Sequence, residues 1–309
     1  MALKIGNITP SKLYLGSTEI QKAYLGSNLV WDKTGSSFLL DTYTGAAAAY
    51  SLRQLKTGVT NVVRVRRDSD NTEQDFTPIQ ITDGTLTTFT GSSNGVVAKW
   101  YDQSGNGNDA EQTTSNQQPQ IVNNGVLITD GGNPSVKFAG SFAALELDQV
   151  ITGTSDRSIF IANKPNSNNT SVGINSLLSL NDGNTTDGEG YRICREPNDL
   201  RLRVNGSSGF SYPSGQSATD YNVLTNIWTS GGAQDAEFWS NGVAVPFSAS
   251  TSVNLNTGVG DGKHYIGWYD ASNIGAANHN VQELIIYASD ESSDRSGIET
   301  NINNHYSIY

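Results

Sequence analysis

The residues best suited to chemistry are side-chain oxygens and aromatic rings in turns. Asp102-Gln103-Ser104-Gly105-Asn106-Gly107-Asn108 sets Asp and Asn oxygens at close spacing, which suits a hard cation such as calcium. It lacks the Asp-x-Asp-x-Asp-Gly order of a dedicated calcium loop, and the simpler role for Asp102 is to cap neighbouring backbone amides. Asp182 and Asp187, within Asn181–Glu189, are the other calcium candidates. Tyr212, Tyr221, Trp268 and Tyr269 fall in or near expected loops, where a ring could stack on a sugar while Asn and Asp take its hydroxyls. Arg64, Arg66 and Arg67 stand out in an acidic chain, and Asp68, Asp70, Glu73 and Asp75 nearby are their natural partners; an anion or sugar-acid site is the alternative.

Much else is excluded. A single cysteine, Cys194, rules out an intrachain disulfide and a thiolate zinc site. His264, His279 and His305 have no metal-ligand spacing, and no Ser-His-Asp, phosphate-loop or dinucleotide signature occurs. The net charge of -11 repels nucleic acid and anionic membrane surfaces. No run approaches the ~18–20 apolar residues of a membrane span, and the first residues lack a signal peptide's apolar stretch. A cytosolic origin is therefore expected, with release by lysis or within an assembly.

These residues must be positioned by β-structure. Of 309 residues, 32 are Gly and only 16% are charged, a composition that builds strands joined by polar turns. Residues 1–36 stand apart: Lys12-Leu13-Tyr14-Leu15-Gly16-Ser17 repeats as Lys22-Ala23-Tyr24-Leu25-Gly26-Ser27. They read as a small β-meander too short to cover its own Tyr14, Tyr24 and Trp31, so a partner should cover them. Residues 37–309 read as one sandwich domain. Ala46–Leu55 is rich in helix formers and predicts a helix stopped by Gly58. A strand over Val59–Arg67, a short helix around Leu86 and Phe89, and a strand over Val96–Tyr101 follow. Leu200–Val204 alternates strictly, and Asn205-Gly206 and Asn241-Gly242 are hairpin turns. Ser296-Gly297-Ile298-Glu299 predicts a capping box opening a last helix, with Ile298, Ile302 and Tyr306 on one face.

Three resemblances follow from these stretches. From Ser158 on, the Ile-Phe strand, the Trp239–Val243 hairpin, Ile266-Gly267 and Glu283-Leu284-Ile285-Ile286-Tyr287 resemble concanavalin A-like (laminin-G-like) jelly rolls. Trp100–Asn108, together with Val65-Arg66-Arg67 and Ala46–Leu55, resembles the catalytic domain of α-L-arabinofuranosidase B, itself a concanavalin A-like sandwich. That resemblance implies a retaining glycosidase with its nucleophile at Glu196, in Arg195-Glu196-Pro197-Asn198, and its acid at Asp270, in Gly267–Asn273. It also implies a disulfide between adjacent cysteines as a sugar platform, which a chain with Cys194 alone cannot form. The repeated Leu-Tyr-Leu-Gly-Ser is similar to the N-termini of tailed-bacteriophage structural proteins.

The expectation is an all-β jelly-roll sandwich with a few short helices, serving as a phage virion structural protein (tail, fibre or capsid decoration) and not as an enzyme. Its partners would be other virion proteins, docked through residues 1–36, and a host surface polysaccharide. A homo-oligomer is expected, a trimer by analogy with fibres, on the virion surface, with no cofactor besides calcium. The alternative is an arabinofuranosidase-like glycoside hydrolase.

Overall fold

The computed structural model describes residues 14–20, 22–25, 28–32, 38–139, 143–166, 175–180, 191–196, 199–204, 208–211, 222–229, 236–245, 263–267 and 278–309. Two antiparallel sheets face each other. In the first, the long strand Asn278–Tyr287 is central. On one side it pairs with Ala46–Ser51 and Val136–Ala139; on the other it pairs with Arg157–Pro165. Asn222–Trp228, Ala236–Ser240 and Val243–Val245 extend that side. The second sheet runs Glu73–Phe76, Val63–Arg67, Gly95–Trp100, Ala110–Glu111, Leu145–Leu147, His264–Ile266, Asn175–Leu180, Tyr191–Glu196, Asp199–Val204 and Ser208–Ser211. Gln120–Asn123 pairs with both Gly95–Trp100 and Val136–Ala139, so hydrogen bonding continues from one sheet into the other along one side.

Alternation along the strands explains the layers. Ile159, Ile161, Leu284 and Ile286 point inward, sharing one core with Leu178, Ile193, Leu202, Trp100 and Ile266 of the second sheet. The intervening Phe160, Ala162, Ile285 and Tyr287 point the other way and are covered by Ile298, Ile302 and Tyr306 of the helix Arg295–Tyr306 and by Leu39 and Leu40 of the short helix Leu39–Thr42. The middle of the first sheet is therefore buried on both faces. Its strand Arg157–Pro165 is accordingly an almost unbroken buried run.

Several local expectations hold. Thr85–Thr90 is helical and ends at Gly91, and Asn241-Gly242 turns with positive φ at both residues, joining Ala236–Ser240 to Val243–Val245. Each copy of the N-terminal repeat folds as its own hairpin, Tyr14–Leu15 with Thr18–Glu19 and Lys22–Leu25 with Asn28–Asp32, in sheets separate from the body.

Two expectations are corrected. Ala46–Ser51 is a strand, not the start of a helix: it pairs with Glu283–Tyr287 and is covered on both faces, Ala48 and Tyr50 entering one core and Ala46 and Ala49 the other. Tertiary pairing here overrides the helix propensity of alanine. The Ser296–Glu299 capping box does not form. The helix begins at Arg295 after Asp294, and Glu299 lies inside it, buried, accepting from Thr225 Oγ1 at 2.7 Å. A capping box does open the short helix Pro78–Thr82, between Thr77 and Gln80.

Candidate functional site

The turn after Trp100 is built from its own polar side chains. Asp102 Oδ1 accepts from the Ala49 N–H at 2.9 Å and the Ser104 N–H at 2.8 Å. Its Oδ2 accepts from Ser104 Oγ at 2.6 Å and the Asn108 N–H at 3.1 Å. Gln103, fully buried, donates to the Ser51 and Arg53 carbonyls and accepts from the Leu55 N–H at 2.7 Å. Asn106 and Asn108 donate to the carbonyls of Ala46 and Ala47 at 2.9 and 2.8 Å. Gly105 and Gly107 have φ of 96° and 78°, which lets the chain fold back on Asp102. The motif therefore staples strand Ala46–Ser51 in place, and the four acceptor positions of Asp102 hold these donors. Among the described residues, no group of three or more His, Cys, Asp or Glu side chains is placed to hold a metal ion. Asp182 and Asp187 lie outside them.

The arginines pair with neighbouring carboxylates. Arg64 meets Asp75 at 2.7 Å, Arg66 meets Asp68 at 3.2 Å and Arg67 meets Asp70 at 2.6 Å. The Arg64 hydrogen bond holds the Asp75 carboxyl below the usual range. Arg66 also donates to Gln118 and Asn71, so it is tied into the framework.

Arg64 opens a row that sequence reasoning missed. Cross-strand register places Arg64, Lys99, Glu111, Glu146, Tyr265, Ser179, Arg192 and Arg203 side by side over eight strands of the second sheet. Their neighbours along each strand, such as Trp100, Ala110, Leu145, Ile266, Leu178 and Ile193, fill the core. From Arg64 to Arg192 the row therefore lies on the face away from this core. Around Glu111 and Glu146 the surface sinks into a cleft of about 350 Å³ lined by Asp109, Glu111, Glu146, Asp148, Gly107 and Lys263. Lys263 bridges Glu146 at 3.1 Å and Asp148 at 3.5 Å; Lys99 bridges Glu111 at 2.5 Å and Asp109 at 3.3 Å. Hydrogen bonds to Glu146 and Glu111 raise Lys263 and Lys99 above the usual lysine range, while burial, then Glu146, raises the Tyr265 phenol. No sequence signal marks this row, because it exists only once register is set.

The remaining candidates are placed by their strands. Tyr191–Glu196 and His264–Ile266 both run antiparallel to Asn175–Leu180, which lies between them. They are parallel to each other, two strand spacings or about 10 Å apart laterally, but their ends are staggered: Ile266 is level with Leu178, whereas Arg195 is level with Asn175 and Glu196 lies beyond it. Glu196 is the last residue of the first, its backbone opposite Asp199; Asp270 follows the second by four residues. The Glu196 side chain and the whole of Asp270 lie outside the described residues, as do Tyr212, Tyr221, Trp268 and Tyr269. Tyr14, Tyr24 and Trp31 are in the hairpin strands, with side chains outside the described set. Cys194, which forms no disulfide, is buried on the strand leading to Glu196. No helix among the described residues is long and apolar enough to cross a membrane.

No protein-family model matches the chain, and no curated protein matches it. Solved structures do. The fold is similar to an arabinofuranosidase complexed with arabinofuranosyl-α-1,2-xylobiose, at TM-score 0.62 and 15% identity. It is similar to a GH54 α-L-arabinofuranosidase soaked with a cyclic sulfate inhibitor, at TM-score 0.56 and 16% identity. A mutant GH54 enzyme soaked with 4-nitrophenyl α-L-arabinofuranoside gives TM-score 0.61 and 15% identity. Each comparison covers 85% of this chain and 64% of the other, so the chain spans just under two thirds of their length. The likeness establishes the sandwich fold. It also corrects the expectation of a non-enzyme: these three structures, which share the fold, are arabinofuranosidases.

Proposed function

We propose that this chain is a carbohydrate-active sandwich, an arabinofuranosidase-like glycoside hydrolase that removes arabinofuranosyl groups. The observation that carries this reading is that the Glu196 strand and the strand leading to Asp270 run parallel in one sheet with a single strand between. The likeness to three arabinofuranosidase structures supports it. In this reading Glu196 attacks the anomeric carbon while Asp270 protonates the departing oxygen. Asp270 then takes a proton from water, which hydrolyses the glycosyl–Glu196 ester with net retention. The test is release of 4-nitrophenol from 4-nitrophenyl α-L-arabinofuranoside, with calcium and with a chelator because of Asp182 and Asp187. Glu196→Gln and Asp270→Asn should each lower kcat by roughly 10³-fold. Wild-type protein without turnover, or variants as active as wild type, would remove this reading.

A second reading is favoured by the two self-contained N-terminal hairpins, which are separate from the body sheets. In it residues 1–36 dock the sandwich onto other virion proteins, placing it on a particle surface as a homo-oligomer. Deleting residues 1–36 should abolish particle incorporation while leaving the thermal unfolding of the body unchanged. Normal incorporation of the truncated protein would end this reading.

A further inference from the structure

The first sheet brings a lysine, an asparagine and a buried carboxylate together. Lys164 of Arg157–Pro165 lies directly opposite Asn280 of Asn278–Tyr287 in the antiparallel register, so the two side chains leave the same face as neighbours. It is the face away from Val136 and Val281, which enter the core between the sheets. Asp130 reaches both side chains. Its Oδ2 accepts from the Asn280 Nδ2 at 2.7 Å, and its Oδ1 meets the Lys164 Nζ at 3.4 Å. Asp130 and Asn280 are buried, whereas the Lys164 side chain is 42% exposed. Gln282 holds Asp130 in place. Its side-chain amide donates to the carbonyls of Asp130, Asn133 and Pro134 at 3.1, 2.9 and 3.1 Å, which fixes the hairpin of Thr129–Asp130 with Asn133–Pro134 over the sheet. The Asn280 Oδ1 is buried with no hydrogen-bond partner among the described residues. One carboxylate therefore bridges an amine and the nitrogen of a carboxamide whose carbonyl is uncommitted.

We propose that Lys164 and Asn280 join in an intramolecular isopeptide bond, with Asp130 carrying the protons. Asp130 Oδ1 takes a proton from the Lys164 ammonium, and the neutral Nζ attacks the Asn280 Cγ. Negative charge gathers on the Asn280 Oδ1. Asp130 then delivers its proton through Oδ2 to Nδ2 as the Cγ–Nδ2 bond breaks. The surplus proton of the attacking nitrogen leaves with the ammonia as ammonium. The products are a Lys164–Asn280 amide and ammonium, with Asp130 ionised again, so no oxidant or co-reactant is needed. Amines and carboxamides exchange very slowly when free in water. Fixing the pair side by side supplies an effective concentration of about 10⁵–10⁸ M. The open side of Lys164 is the way out for ammonia. The bond ties the middle strand of the first sheet to its neighbour and closes the long loop between residues 164 and 280.

The experiment is mass spectrometry of the full chain, intact and after trypsin, following prolonged incubation of the folded protein. The chain should be lighter than its sequence by one ammonia, and the digest should contain a branched peptide joining Lys164 to Asn280. Lys164→Arg keeps the positive charge beside Asp130 but cannot form the amide. It should retain the full mass and melt roughly 5–10 °C below the cross-linked chain, a difference that a charge-only role for Lys164 would not give. Asp130→Asn should retain the full mass while still unfolding cooperatively. Full mass with no branched peptide in wild type overturns the bond. Loss of ammonia without a branch does the same, because an asparagine closing on its own backbone also sheds ammonia. Lys137 is level with Asn280 on its other flank, so a branch there would overturn the assignment to Lys164. A branch that still forms in Asp130→Asn would overturn the role of Asp130.

Discussion

Two ion pairs, Arg53–Glu283 beneath the C-terminal helix and Lys263–Glu146 in the cleft, use the same chemistry in opposite surroundings. Glu283 is fully buried. It accepts from Arg53 Nε at 2.7 Å and Nη2 at 2.8 Å, from Ser51 Oγ at 2.9 Å and from the Tyr306 hydroxyl at 3.1 Å. Burial alone would raise its carboxyl; the Arg53 charge and hydrogen bonds outweigh that and hold it below the usual range. Lys263 and Glu146 are each close to half-exposed, with solvent completing their coordination. The buried pair has every position filled and serves the fold. The exposed pair has positions that a ligand could take.

The largest effect should come from breaking the buried pair. Glu283→Ala strands the Arg53 charge and should cost about 3–5 kcal/mol by denaturant unfolding. A loss under about 1 kcal/mol would erase the contrast between the two pairs. Asp102→Ala removes the acceptor of four donors and should cost about 3 kcal/mol, with Asp102→Asn less damaging. A value near zero would mean that the motif does not hold Ala46–Ser51. The third prediction concerns pH. His264 is fully buried, and burial followed by the Arg157 charge lowers its pKa to about 3 from 6.5. Its neutral form is favoured in the folded state, so its contribution is complete above pH 6.5. It is lost at up to about 1.4 kcal/mol per pH unit as pH falls toward 3. Unfolding free energy followed from pH 6.5 to 5 should fall by about 2 kcal/mol through this group, and His264→Asn should flatten the slope. Smallest of all, Glu146→Gln should shift stability by less than about 0.5 kcal/mol. A larger shift would make the cleft pair structural after all.

The sequence carried those parts of the fold that depend on local pattern. Asn241-Gly242 could only be a tight hairpin, and Ile298, Ile302 and Tyr306 could only be one apolar helix face. The Arg64–Asp75 and Arg67–Asp70 pairs lie close enough in the chain to be read directly. Ala46–Ser51 misled because alanine's helix preference is local, whereas its reason for being there is distant: Glu283–Tyr287 on one edge and apolar residues over both faces. Glu299 misled in the same way, since it fits a cap by spacing yet bonds to Thr225 on another strand. The polar row was invisible because residues such as Glu111 and Glu146 meet only through register. Glu196 and Asp270 were placed by motif resemblance alone; their strands run parallel with Asn175–Leu180 between them, and the two carboxyl groups lie outside the described residues.

The middle strand of the first sheet, Asn278–Tyr287, has a consequence for biosynthesis. Ser51 and Glu283, neighbours in the finished protein, are 232 residues apart in the chain. While the polypeptide emerges from the ribosome, Ala46–Ser51 and Arg157–Pro165 face an empty slot, each with an unsatisfied edge. Closure of this sheet must wait until residue 287 is clear of the exit tunnel, and until then both edges are open to pairing with other chains.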